Sequence, residues 1–96
     1  MDARPVAADE PPRRLRDLRN LGPASEQALV RAGIRTPEQL DEVGAAAAFR
    51  RLAEAGTPHL TRVFLWALAG ALLDLDWREL PAGVKADLER EAGLAG

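Results

Sequence analysis

Between His59 and Leu73 the chain offers almost no polar face to a helix. Leu60, Phe64, Ala67, Leu68, Ala71 and Leu72 recur at spacings of three and four, and Val63, Trp66 and Gly70 widen the apolar stripe sideways. A helix of this kind must be nearly surrounded, so it is expected at the centre of a core. No alternating run is long enough for a strand, and the apolar residues are mainly Ala and Leu, with two Phe and no Tyr, a bias toward helices. At 96 residues there is chain for one core and not for two. The expected class is all-α.

Prolines and glycines divide the rest of the chain. Leu15, Leu18 and Leu21 are three apart and lead into Asn20-Leu21-Gly22-Pro23. Pro23 suits the first position of a helix, where its missing N–H would have no partner, and this helix is expected to run to Ala32 with Gly33 as a left-handed cap. Thr36-Pro37-Glu38-Gln39 reads as a capping box, with Gln39 reaching back to the Thr36 amide, and opens a short helix with Leu40 and Val43 inward before Gly44. Ala45 to Ala55 has high helix propensity, places Phe49 and Leu52 on one side, and ends at Gly56. Thr57-Pro58 repeats the cap-then-proline pattern and is expected to open the long apolar helix at about His59. Asp76 to Glu79 reads as a single turn with a carboxylate cap, and Pro81 as the start of a last helix with Val84 and Leu88 inward and Gly93 at its end. Together these make a compact five- to six-helix domain over 13–96. Residues 1–12, with three prolines, mixed charges and no apolar periodicity, are expected to be a disordered leader.

Several chemistries are excluded or unsupported. Without cysteine there is no disulfide, no thiolate nucleophile and no Cys-ligated zinc. Val63 to Leu73 is far shorter than the roughly 20 residues that span a bilayer, and the N-terminus is acidic where a signal peptide is basic, so a cytoplasmic protein without membrane contact is expected. No nucleophile stands beside a base, and no phosphate loop or cofactor fingerprint occurs, so the expectation is a non-enzyme with no cofactor, no bound metal and no small-molecule substrate. His59, the only histidine, has no companion ligands in sequence. Asp74 and Asp76 read as a cap and a solvated loop. Trp66 and Trp77 read as core packing, with Trp77 folded over the long helix and each indole N–H seeking a carbonyl, although aromatic faces also stack on bases.

The formal net charge is -2, yet the charge is unevenly spread. Between Arg13 and Arg35 the six bases Arg13, Arg14, Arg16, Arg19, Arg31 and Arg35 face only Asp17 and Glu26, whereas acids lead from Pro37 onward. A polyanion would bind the first third. There, Leu18 to Leu29 followed by Ala32-Gly33-Ile34 resembles a helix-hairpin-helix motif, which offers backbone amides and a helix N-terminus to a nucleic-acid phosphate. Such contacts recognise backbone rather than sequence. The chain departs from the pattern at three places. Asn20 replaces the first hairpin glycine, Ala24 stands where Lys is common, and Glu26 puts a carboxylate one turn into the helix, where it would repel phosphate unless it points away. The same residues also read as a tight helical corner packed by Leu21, Leu29 and Ile34.

A wider pattern comprises Asn20-Leu21-Gly22-Pro23, Ala32 to Thr36, Leu40, Gly44-Ala45, Phe49, Leu52, Leu65 to Ala71, and Trp77 to Pro81. It resembles the C-terminal domain of the TfoX/Sxy family of bacterial competence regulators. The resemblance implies a five- or six-helix domain containing a helix-hairpin-helix-like unit and associated with control of competence and transcription. Larger members carry a separate N-terminal α/β domain, which twelve leader residues cannot supply, so the C-terminal module alone is expected. On this reading the DNA backbone meets Arg16, Arg19, Asn20, Leu21, Gly22, Ala24, Ser25 and Arg31, with weak, salt-dependent affinity. The alternative is a protein-interaction adaptor that touches no DNA and docks a regulatory protein through an apolar strip on the last helix or around Phe49. Either module would be a monomer or a weak homodimer.

Overall fold

The computed structural model describes residues 13–94; residues 1–12, expected to form a disordered leader, lie outside them. The described residues form five α-helices: α1 (Pro23–Arg31), α2 (Pro37–Val43), α3 (Ala45–Glu54), α4 (Arg62–Leu73) and α5 (Ala82–Glu91). Single 3₁₀ turns at Leu15–Asp17 and Trp77–Glu79 precede α1 and α5, and the described residues contain no strand. The class is all-α, as expected.

Most helix ends follow from local chemistry. Past α1, Gly33 at φ +90° lets its own amide reach the Val30 carbonyl and the Ile34 amide reach the Leu29 carbonyl at 2.9 Å, which delivers Ile34 into the core. At α2 the Thr36 hydroxyl accepts from the Gln39 amide at 3.1 Å, but the Gln39 side chain accepts from the Arg35 amide at 2.7 Å, not from Thr36 as expected. The reach-back ends one residue early and ties down the entering chain instead. Gly44, at φ +87°, closes α2 and caps α3 at once, so the two helices meet without a linker.

The long apolar helix begins at Arg62, with Thr61 as its cap, and not near His59. The Thr57 amide is engaged by the Leu52 carbonyl at 3.1 Å, completing the α3 terminus around Gly56, so Thr57-Pro58 finishes one helix rather than opening the next. His59 then turns through the left-handed region at φ +58°.

The core centres on α3 and α4. Ala48, Phe49 and Leu52 from α3 meet Leu65, Leu68, Ala69 and Ala71 from α4, and Leu15, Leu29, Ile34, Leu40 and Leu80 close around them. Each fully buried leucine stabilises by about 1.5–3 kcal/mol relative to exposure. Leu65 is fully buried although it lies off the stripe read from sequence, because α3 and α5 both pack on α4. Val63 and Leu73 remain exposed, so the enclosure of α4 is incomplete at its two ends. Val84 is also exposed, contrary to expectation. Lys85, its neighbour, faces the stacked rings of Trp66 and Trp77, with Nζ 4.7 Å from the Trp66 ring, and this rotation of α5 turns Val84 outward.

Candidate nucleic-acid interface at the start of α1

Leu15 and Leu18 are buried and pin the segment before α1 to the core. That segment is a single 3₁₀ turn rather than the first helix of a full hairpin pair. The Leu21 amide donates to the Leu18 carbonyl at 3.1 Å, so the turn closes on itself and Leu21 offers no donor outward. Gly22 is extended at φ -148° and serves as the cap residue of α1, with its carbonyl accepting from the Glu26 amide at 2.9 Å. Pro23 has no N–H. Among the described residues the amides of Gly22, Ala24 and Ser25 meet no acceptor, and no side chain caps this end. Ala24 is exposed, Gly22 and Ser25 are half-buried, and nothing lies within 4 Å of where a Gly22 Cβ would stand. The result is an open helix N-terminus with unpaired donors and the positive end of the helix dipole.

The Asn20 side chain does not join this seat. Asn20 adopts φ +73°, as a hairpin glycine would, but its amide group points inward. Nδ2 donates to the Leu75 carbonyl at 2.8 Å and the Ala67 carbonyl at 3.3 Å, and Oδ1 accepts from the Trp77 amide at 3.3 Å. Gly70 makes room for it, since a Cβ there would stand 2.5 Å from Asn20 Nδ2 and 2.6 Å from the Leu75 carbonyl oxygen. Asn20 therefore fixes the corner to α4 and to the Trp77 turn.

The charges are arranged differently from the sequence reading. Glu26 is buried beside the corner, and its Oε1 accepts from Arg14 Nη2 at 3.1 Å and Arg16 Nε at 2.9 Å. Burial alone would raise its pKa, but the Arg16 hydrogen bond and the two guanidinium charges outweigh that and hold the carboxyl below its ordinary value. Glu26 is thus a charged, doubly neutralised group, and the cluster retains one net positive charge. Arg16 supplies that charge jointly with Arg14, which the sequence-based site omits. The Arg19 Nε lies 4.0 Å from Asp74 Oδ1, with both side chains largely exposed, a pairing of little strength. Arg31 stands in the last turn of α1, on the order of 12 Å along the axis from the seat, and the structure does not bring it there. It borders instead a shallow groove of about 300 Å³ with Glu26, Gln27 and Val30.

The remaining candidates lie elsewhere. Trp66 and Trp77 stack with centroids 5.6 Å apart, Trp77 folding over α4 as expected, but the buried Trp66 Nε1 finds no acceptor among the described residues. Phe49 itself is only 4% exposed and packs in the core. His59 is exposed, and the described residues hold no cluster of potential metal ligands. Among the described residues no helix is long and apolar enough to cross a membrane.

The family model for the TfoX C-terminal domain matches residues 11–92. Two crystal structures from Listeria monocytogenes are similar to the chain. One, of an uncharacterized protein in a triclinic form, is 36% identical, with a TM-score of 0.75 over 80% of this chain and 86% of that one. The other, of a protein of unknown function in a tetragonal form, is 35% identical, with a TM-score of 0.74 over 82% of this chain and 96% of that one. No curated protein matches the chain.

Proposed function

The chain belongs to the TfoX C-terminal domain family, and from that premise we propose that it is a non-enzymatic module in competence or transcription regulation that binds the DNA backbone through the first turn of α1. One observation carries the reading: the Gly22, Ala24 and Ser25 amides are unpaired at an uncapped helix start, and the nearest helix carboxylate, Glu26, is neutralised by two arginines. A phosphate oxygen there accepts several N–H bonds at once and is favoured by the helix dipole. Arg14, Arg16 and Arg19 supply the flanking charge. Because phosphate contacts carry no base information, binding is weak and non-specific, and log affinity falls by about 0.9 against log salt for each phosphate neutralised.

Gly22→Asp separates function from folding. Gly22 is extended and has free space at its Cβ position, so aspartate fits, and its carboxylate accepts from the free amides as a helix cap. The variant should melt slightly higher, by a few tenths of a kcal/mol in stability, while losing DNA affinity because the seat is filled by its own anion. Anisotropy titration with duplex DNA at two salt concentrations, together with a thermal melt, reads both effects. Unchanged binding by Gly22→Asp and by Arg19→Ala removes the corner from the account. No binding of the native chain at low salt leaves the adaptor reading.

A further inference from the structure

We infer that Glu26 is a positioning residue for polyanion binding: its carboxylate holds the Arg14 and Arg16 guanidinium groups beside the open start of α1, so that they meet a backbone phosphate already oriented. The inference rests on the phosphate reading of the corner and adds a role for the one residue that sequence alone sets against it.

Arginine side chains are long and lose rotamer freedom when they clamp a ligand. Here that freedom is already restricted. One oxygen of Glu26 accepts from both arginines, and the carboxylate is itself fixed because Glu26 is buried and its amide is bound to the Gly22 carbonyl, the cap residue of the same helix. The Arg14 side chain is still 59% exposed and the Arg16 side chain 35% exposed. A guanidinium carries N–H groups on all three nitrogens, and Glu26 engages only one edge of each, so donors remain for a second anion. The two arginines come from the turn before the corner and the carboxylate from the helix after it, so the pairing also fixes the approach of those two segments.

The test turns on the sign of the effect. Removing a carboxylate from a polyanion-binding face should strengthen binding by simple charge. If Glu26 positions the arginines, Glu26→Gln instead weakens duplex DNA binding, by about tenfold for two side chains released, equivalent to roughly 1.4 kcal/mol. In an Arg14→Ala, Arg16→Ala background the same change should strengthen binding or leave it unaltered, because only the repulsion remains to be removed. A purely structural role would weaken binding in both backgrounds. The titrations use the full chain at low salt, with helical circular dichroism recorded for every variant. Native binding with Glu26→Gln equal or tighter overturns the inference and leaves the phosphate reading standing; no native binding overturns both. Should Glu26→Gln unfold, Glu26→Asp carries the test in the same two backgrounds, since it keeps the charge but withdraws it by one methylene: binding weakened only where Arg14 and Arg16 are present supports positioning, and native affinity, or weakening in both backgrounds, overturns it.

Discussion

Asn20 and Gly70 form one fitted pair, fifty residues apart in the chain. The asparagine accepts the left-handed conformation that the corner needs and at the same time bridges α4 to the Trp77 turn, and only a residue without a side chain at position 70 lets it approach. Asn20→Gly keeps the backbone conformation but removes the bridges, and should destabilise by about 1–3 kcal/mol, less than three ideal hydrogen bonds because two of them are 3.3 Å long. Gly70→Ala should cost more, because its Cβ would stand 2.6 Å from the Leu75 carbonyl oxygen as well as 2.5 Å from Asn20 Nδ2, and the two substitutions together should fall short of their sum by the share due to Asn20 in thermal or urea unfolding. Strict additivity would show that they act separately. None of this was legible in the sequence. Asn20 stood in the place of a hairpin glycine, but its partners lie at Ala67, Leu75 and Trp77, and no local pattern points to them. The pairing of Glu26 with Arg14 and Arg16 was hidden for the same reason: their spacing spans an irregular corner, where no helical periodicity predicts that side chains meet.

At the scale of the helix, the signals that worked were those whose chemistry is complete within a few residues. Pro23, Gly33, Thr36-Pro37, Gly44 and the Asp76 cap each fix a terminus by a missing donor, a positive φ or a short side-chain bond, and each stands where expected. Thr57-Pro58 carried the same letters as Thr36-Pro37 and failed, because the α3 terminus had a prior use for the Thr57 amide. His59 marks the resulting strain. A left-handed histidine costs on the order of 1–2 kcal/mol, partly offset in glycine by the larger entropy of its unfolded chain, so His59→Gly should raise stability by about 0.5–1 kcal/mol. A lower melting temperature would mean that the imidazole makes a contribution its exposure does not suggest. Val84 failed for a different reason: on α5 the inward face is chosen by Lys85 over the tryptophan pair, a cation–aromatic contact that hydrophobic patterning does not encode.

For the molecule as a whole, the net charge of -2 gives no general attraction for nucleic acid, so any DNA contact must be local to the first third of the chain, where arginines outnumber acids. That asymmetry was readable, as were the fold class and the family, because they depend on the sum of many weak signals. The quality of the seat was not, because it depends on which amides are left over once the corner has closed. The most direct measurement is therefore made on those amides: an amide nitrogen–proton correlation spectrum of the native chain, titrated with a short duplex at low salt. The Gly22, Ala24 and Ser25 signals should shift the most and return as salt is raised. Binding that leaves these three signals in place while moving those of α5 or the tryptophan indoles would contradict the account.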